Sequence, residues 1–146
     1  MRTINLFVVH CSATREGCTL TSEALEAEHR RRGFRTTGYH YYIRRDGTVL
    51  GTRSLELPGA HCRGHNKYSI GICYEGGLDA RGNPKDTRTP EQRSALHLLV
   101  YQLLQQFRNA RVCGHRDLSP DLDGDGTVEP WEWVKQCPCF EVSKEF

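Results

Sequence analysis

The chain has 146 residues, 37% of them hydrophobic, and a formal net charge of +2. That length fits one domain with a real core. The charge is too small to imply a nucleic-acid footprint, and no apolar run reaches the roughly 18 residues that span a membrane.

The first stretch, "MRTINLFVVHCSAT", holds a short apolar run with no small-residue cleavage site after it. The chain is therefore expected to be made in the cytoplasm without a removable export signal. "INLFVVH" is rich in branched and aromatic residues and reads as a buried strand. "TSEALEAEHRRRGF" reads as a helix that stops at Gly33. "YHYYIRRDGTVLGT" reads as two strands around an Asp46-Gly47 turn. "SIGICYEG" is a further strand. "RTPEQRSALHLLVYQLLQQF" is the clearest helix, capped by Thr89, with Pro90 in its first turn and Gln92 completing a capping box. Leu96, Leu99, Val100, Leu103 and Phe107 recur at helical spacing and should pack on a sheet. "RVCGH" reads as a last strand and "EPWEWVKQ" as a short closing helix. Strands and helices alternate, which predicts an α/β fold with helices covering a central sheet.

Seven cysteines stand at 11, 18, 62, 73, 113, 137 and 139. An odd, scattered set does not read as a disulfide framework, so most are expected to be free thiols. His10 ends the first strand and His115 ends the last. Loops at the carboxyl ends of strands are where α/β proteins usually bind ligands, so the two imidazoles are well placed to converge. Two histidines and one late cysteine, Cys137 or Cys139, form a donor set suited to zinc with one position left for water. Against this stands the plain alternative that both histidines are ordinary polar residues at strand ends.

Four ordered blocks narrow the choice. "VVHCSAT", "GYHYYIRRDGTV", "GAHCRGHNKYSIGICYEGG" and "GHRD…KQCPCF" resemble the zinc-dependent N-acetylmuramoyl-L-alanine amidases of phage lysozyme type, whose fold is shared by the peptidoglycan recognition proteins. The likeness runs from about Phe7 to Phe140. It implies a single mixed central sheet flanked by helices, with one amidase domain over residues 1–146. It implies His10, His115 and Cys137 as zinc ligands, with Cys139 a bystander. Tyr39 in "GYH" and Lys135 match the catalytic tyrosine and lysine; His61 matches a histidine beside the substrate groove, as does Asn66. The activity implied is hydrolysis of the amide between N-acetylmuramic acid and L-alanine, as in an endolysin of a phage or prophage. Such an enzyme acts on the cell wall after release. Its expected partner is peptidoglycan or a muropeptide, with no nucleic acid and no membrane insertion, and the chain is read as a monomer. A peptidoglycan-binding module without catalysis is the alternative; Cys137 argues against it, because binding-only forms tend to lack the thiol.

The same residues have plain readings too. Tyr39 alternates with Tyr41 along the predicted strand. His40 points to the other face and reads as structural. His29 and His97 lie in helices and read as surface or packing residues, and Cys11 should point away from the ligand His10. "HRRRGFR" reads as a solvated basic helix end.

In compact members of that family, the proline of the "HxxxxP" stretch is followed almost directly by "KxCP". Here residues 121–134 intervene, which leaves the placement of Lys135 and Cys137 to be tested. The insertion begins "DLDGDGTVEPWE", a match to the calcium loop of an EF-hand. Its oxygen donors would be Asp121, Asp123, Asp125, the Thr127 carbonyl, Glu129 and Glu132, with Gly126 at the sharp turn. So many carboxylates in one short loop repel each other, and a bound cation would relieve that. A solvated acidic turn is the alternative.

Overall fold

The computed structural model describes residues 2–146. In chain order the elements are β1 (Leu6–Cys11), β2 (Thr14–Arg15), α1 (Ser22–Arg31), β3 (Tyr41–Ile43), β4 (Val49–Gly51), β5 (Ser69–Tyr74), β6 (Gly77–Leu78), α2 (Pro90–Gln106) and β7 (Arg111–Gly114). Short 3-10 turns lie at Asn66–Tyr68, just before β5, and after β7 at His115–Leu118, Pro130–Glu132 and Val142–Lys144. Five strands form one mixed sheet in the order β4-β3-β5-β1-β7. β1 lies parallel to both β5 and β7, β3 lies parallel to β5, and only β4 runs antiparallel. β2 and β6 make a small parallel pair that the sequence gives no sign of.

Every residue of β1 and of β5 is buried. Central parallel strands are covered on both faces, which is why these segments read as unbroken apolar runs. Side-chain alternation then sorts them. Phe7, Val9 and Cys11 of β1 join Ile70, Ile72 and Tyr74 of β5 against Leu96, Leu99, Val100 and Leu103 of α2. Leu25 of α1 packs on the opposite face, against Tyr42 and Cys73. His10 sits between Val9 and Cys11 in sequence, so its ring emerges on the α1 face.

The long helix begins as its sequence predicts. The Thr89 hydroxyl accepts from the Gln92 backbone N–H, and the Gln92 side chain accepts from the Thr89 N–H. Gln92 is also fully buried, and its Nε2 donates to the Ile43 and Glu75 carbonyls. The helix cap is thereby stitched to the sheet. α1 stops two residues before Gly33, close to its predicted end. All seven cysteines are free thiols.

Two local expectations are corrected. The third strand begins at Tyr41, so Tyr39 and His40 lie in the segment leading into it rather than within it. "EPWEWVKQ" forms no closing helix beyond the single turn Pro130–Glu132. Trp133 is already extended (φ −63°, ψ 122°), and the Val134 N–H donates to the Ser119 hydroxyl at 3.0 Å. That bond draws the chain away from helical geometry. His29 is a packing residue: it is buried, and its Nδ1 accepts from the Gly38 N–H at 2.8 Å. His97 stays at the surface, paired with Glu145.

Glu75, just beyond β5, is 1% exposed and accepts from the Leu20 N–H (2.7 Å), the Arg45 N–H (2.9 Å) and Arg44 Nε (2.9 Å). Glu75→Ala strands two backbone donors and one partly exposed cation. We expect a loss of about 2–3 kcal/mol, read from the midpoint of urea denaturation. A shift within about 0.5 kcal/mol would show these bonds to be dispensable.

Candidate active site

His10 leaves the end of β1, and His115 follows β7 directly as the first residue of a 3-10 turn. Their rings lie 4.5 Å apart, centroid to centroid. Cys137 arrives from the far side of the acidic segment. Its Sγ accepts the Cys11 backbone N–H at 3.2 Å, and its carbonyl accepts the Arg116 N–H at 2.9 Å. Next to it the Pro138 carbonyl accepts the Tyr74 hydroxyl at 2.6 Å. The late cysteine is thus tied to β1, to the "GHRD" turn and to β5. One donor atom each from His10, His115 and Cys137 lies within 4.8 Å of the others. Among the described residues, no carboxylate belongs to this group.

Cys139 is not part of it; its thiol donates to the Gly77 carbonyl at 3.3 Å. Cys11 faces the α2 side of the sheet. Its thiol is pushed up to about 12, first by its hydrogen bond to Cys137. Cys139 is pushed up as well, first by its hydrogen bond to Cys11. Both therefore remain neutral thiols beside the cluster.

His10 is 1% exposed. Burial, then the neighbouring His61, His115 and Lys135, hold it well below the ordinary histidine range, so it is neutral and free to ligate. The Tyr39 ring lies 5.1 Å from the His10 ring. Burial, then the nearby Cys73, Cys137 and Cys11 thiols, raise its phenol well above the usual range. The Tyr39 phenol therefore keeps its proton at neutral pH. Lys135 is exposed and lines the same small cavity as His10, Tyr39, His115 and Cys137.

That cavity, about 220 Å³, adjoins a groove of about 820 Å³. Arg32, Phe34, Arg63, Leu118, Val134 and Lys135 are among the groove's lining residues. Arg32 belongs to the basic stretch read as a solvated face. It is exposed, yet it borders the groove, a role its charge alone did not signal. His61 and Asn66 line the groove too. The Asn66 side-chain oxygen accepts the His61 and Cys62 backbone N–H groups at 2.9 and 3.0 Å, which shapes the loop that carries His61.

The acidic segment stands on two feet. One is the Ser119–Val134 hydrogen bond. The other is Arg116, whose guanidinium carbon lies 3.8 Å from the Trp133 ring centre. Between them the chain winds around its own carboxylates. Asp121 accepts from the Gly124 and Gly126 N–H groups at 3.0 and 2.8 Å. Gly126 has φ +90°, a conformation that costs glycine little. Glu132, 2% exposed, accepts from the backbone of Leu122, Asp123 and Glu129. Asp121, Asp123 and Glu132 bring oxygens within 4.8 Å of each other, and so do Asp123, Asp125 and Glu129. One Glu129 oxygen is buried with no hydrogen-bond partner among the described residues. The Glu129 carboxyl is pushed up to about 8, chiefly by Glu132 and then Asp125.

The mixed sheet with its helix-covered faces is the amidase and peptidoglycan-recognition fold. The solved amidase LysC from Clostridium intestinale superposes with a TM-score of 0.73 at 26% identity, over 94% of this chain and 77% of that one. PGRP-SA of the bumblebee superposes with a TM-score of 0.75 at 21% identity, over 99% and 80%, a likeness of fold. The chain belongs to the N-acetylmuramoyl-L-alanine amidase family, Amidase_2, whose pattern it matches over residues 1–138. It is also 36% identical to the endolysin of Enterobacteria phage K11 over 138 residues, 94% of this chain and 82% of that protein.

Proposed function

We propose that the protein is a zinc-dependent amidase that cuts the bond between N-acetylmuramic acid and L-alanine in peptidoglycan, in the manner of an endolysin. The observation that carries this reading is the meeting of His10, His115 and Cys137 at the end of a groove, in a chain of the amidase family. Two imidazoles and one thiolate without a carboxylate suit zinc better than a hard ion. Zinc bound there would supply Lewis acidity toward the amide carbonyl and make water a nucleophile near neutral pH.

The chain's own residues do the rest. Amide hydrolysis builds negative charge on the carbonyl oxygen. Lys135 offers a cationic donor toward it, and the protonated Tyr39 phenol offers a neutral one. His10, His61 and Tyr39 wall the small cavity and limit the water that reaches it. Arg32 and Arg63 give the groove positive charge for the carboxylates of a stem peptide, with Asn66 and His61 at its floor.

Release of stem peptide from purified cell wall tests the proposal. Zinc-loaded protein is expected to free peptide, chelation to stop it, and added zinc to restore it. Wall binding without release under zinc would establish the non-catalytic module instead.

The acidic segment enters the same reading as a calcium loop of Asp121, Asp123, Asp125, Thr127, Glu129 and Glu132. The Glu129 oxygen left without a hydrogen-bond partner, and the crowding by Glu132 and Asp125 that pushes its carboxyl upward, favour this reading, since a cation would relieve both. Calcium would order the segment that leads to Lys135 and Cys137. In calorimetry on metal-stripped protein, calcium heats are expected for the parent and absent for Asp123→Ala. Identical heats in both would discard the loop.

A further inference from the structure

His61 lies deeper than a groove residue needs to. Its Nδ1 is 2.9 Å from His10 Nε2, and its Nε2 is 3.0 Å from the Ser69 hydroxyl. The two imidazoles meet edge to face, with centroids 4.9 Å apart. A Cβ at Gly71 would come within 2.6 Å of the His61 ring, and one at Gly59 within 2.5 Å. At 2.5–2.6 Å a side chain on either glycine would displace the ring. Gly71 is a bare position in β5 between Ile70 and Ile72, where a central strand would otherwise carry a side chain. The backbone has been cleared on two sides so that this imidazole can pass and reach His10.

Both contacts join ring nitrogens whose donor and acceptor roles follow from the tautomer. Among the described residues, no group is hydrogen-bonded to His10 Nδ1, so this nitrogen is the one available for a metal. A neutral ring that ligates through Nδ1 carries its proton on Nε2. His10 Nε2–H must then donate to His61 Nδ1. His61 in turn carries its proton on Nε2 and donates to Ser69 Oγ. No other neutral arrangement satisfies both contacts once Nδ1 holds the metal.

We infer that His61 is a positioning residue for the metal centre: seated in the slot walled by Gly59 and Gly71 and backed by Ser69, it accepts the His10 Nε2–H and so fixes which nitrogen of His10 faces the ion. The inference rests on the zinc reading above and adds to it. A histidine that only touches substrate would shift KM and leave metal affinity alone. A histidine that orients a ligand changes metal affinity, because the outer partner of a ligating imidazole sets its orientation and basicity.

Imidazole nitrogen shifts of the zinc-loaded protein by ¹⁵N NMR read the arrangement without any substitution. The expected result is His10 with zinc on Nδ1 and a proton on Nε2, and His61 neutral with its proton on Nε2. His10 bound through Nε2 overturns the inference while leaving the zinc site intact. In competition with a chelator, His61→Phe is expected to bind zinc about 10–100-fold more weakly, and Ser69→Ala to weaken it in the same direction by less. His61→Gln, which keeps an acceptor, should recover part of the loss. Unchanged zinc affinity in folded His61→Phe and Ser69→Ala would also overturn it. Should His61→Phe fail to fold, the NMR result and Ser69→Ala still decide. Zinc that perturbs neither His10 nor Cys137 in the parent protein removes the zinc reading itself, and this inference with it.

Discussion

Cys137→Ala is expected to bring zinc content from about one ion per chain to near none, and to cut peptide release by about a thousandfold or more. Among the described residues, the donor set has no fourth member to take over, since no carboxylate stands within the cluster. Cys139 donates to Gly77, and Cys11 touches the cluster only through its hydrogen bond to Cys137, so neither belongs to the donor group. Loss of a Lewis acid worth several kcal/mol gives the magnitude, at one factor of ten per about 1.4 kcal/mol. Cys139→Ala is the matched control and should keep both zinc and activity. Metal analysis beside the release assay reads both quantities. Full zinc and full rate in Cys137→Ala would remove the thiolate from the centre.

The second large effect concerns Lys135. Lys135→Ala should lower kcat by about 100–1,000-fold, the usual loss when one donor to a developing oxyanion is removed. KM and zinc content should change little, because the ammonium is asked to act on charge present only in the transition state. Lys135 is exposed, so the melting temperature should hold. The measurement is steady-state kinetics on a soluble muropeptide. A raised KM with kcat intact would reassign Lys135 to ground-state binding of substrate carboxylates.

The sequence carried the frame well because its signals are local. The Thr89–Gln92 capping box, the Asp46-Gly47 turn and the apolar β1 and β5 runs each state their geometry in a few adjacent residues. The convergence of His10, His115 and Cys137 is different: the three side chains are far apart in the chain, and only the family resemblance singled out Cys137 over Cys139. The parallel pairing of β1 with β7 then brings the two histidines side by side. The closing helix failed for a tertiary reason. "EPWEW" has a helical start, but the Ser119 hydroxyl captures the Val134 N–H and Arg116 holds Trp133 flat against itself.

His61 shows a further limit of reading by pattern. Its place in "GAHCRGHN" suggests a groove residue, and it does line the groove. Nothing in that motif discloses Ser69 behind it or the two bare backbone positions around it. Gly59 and Gly71 look like an ordinary loop glycine and a flaw in a strand. Their purpose appears only when three separated segments are stacked.

The footing of the acidic segment has a practical corollary. The chain departs at Ser119 and returns at Val134 to the same hydrogen bond, and the Arg116 backbone joins Cys137 below it. The base of the segment is thus closed by contacts that do not involve the loop's carboxylates. A reporter domain spliced at the tip should leave that closure in place, so any change it causes at Lys135 or Cys137 would come from the loop's own fold.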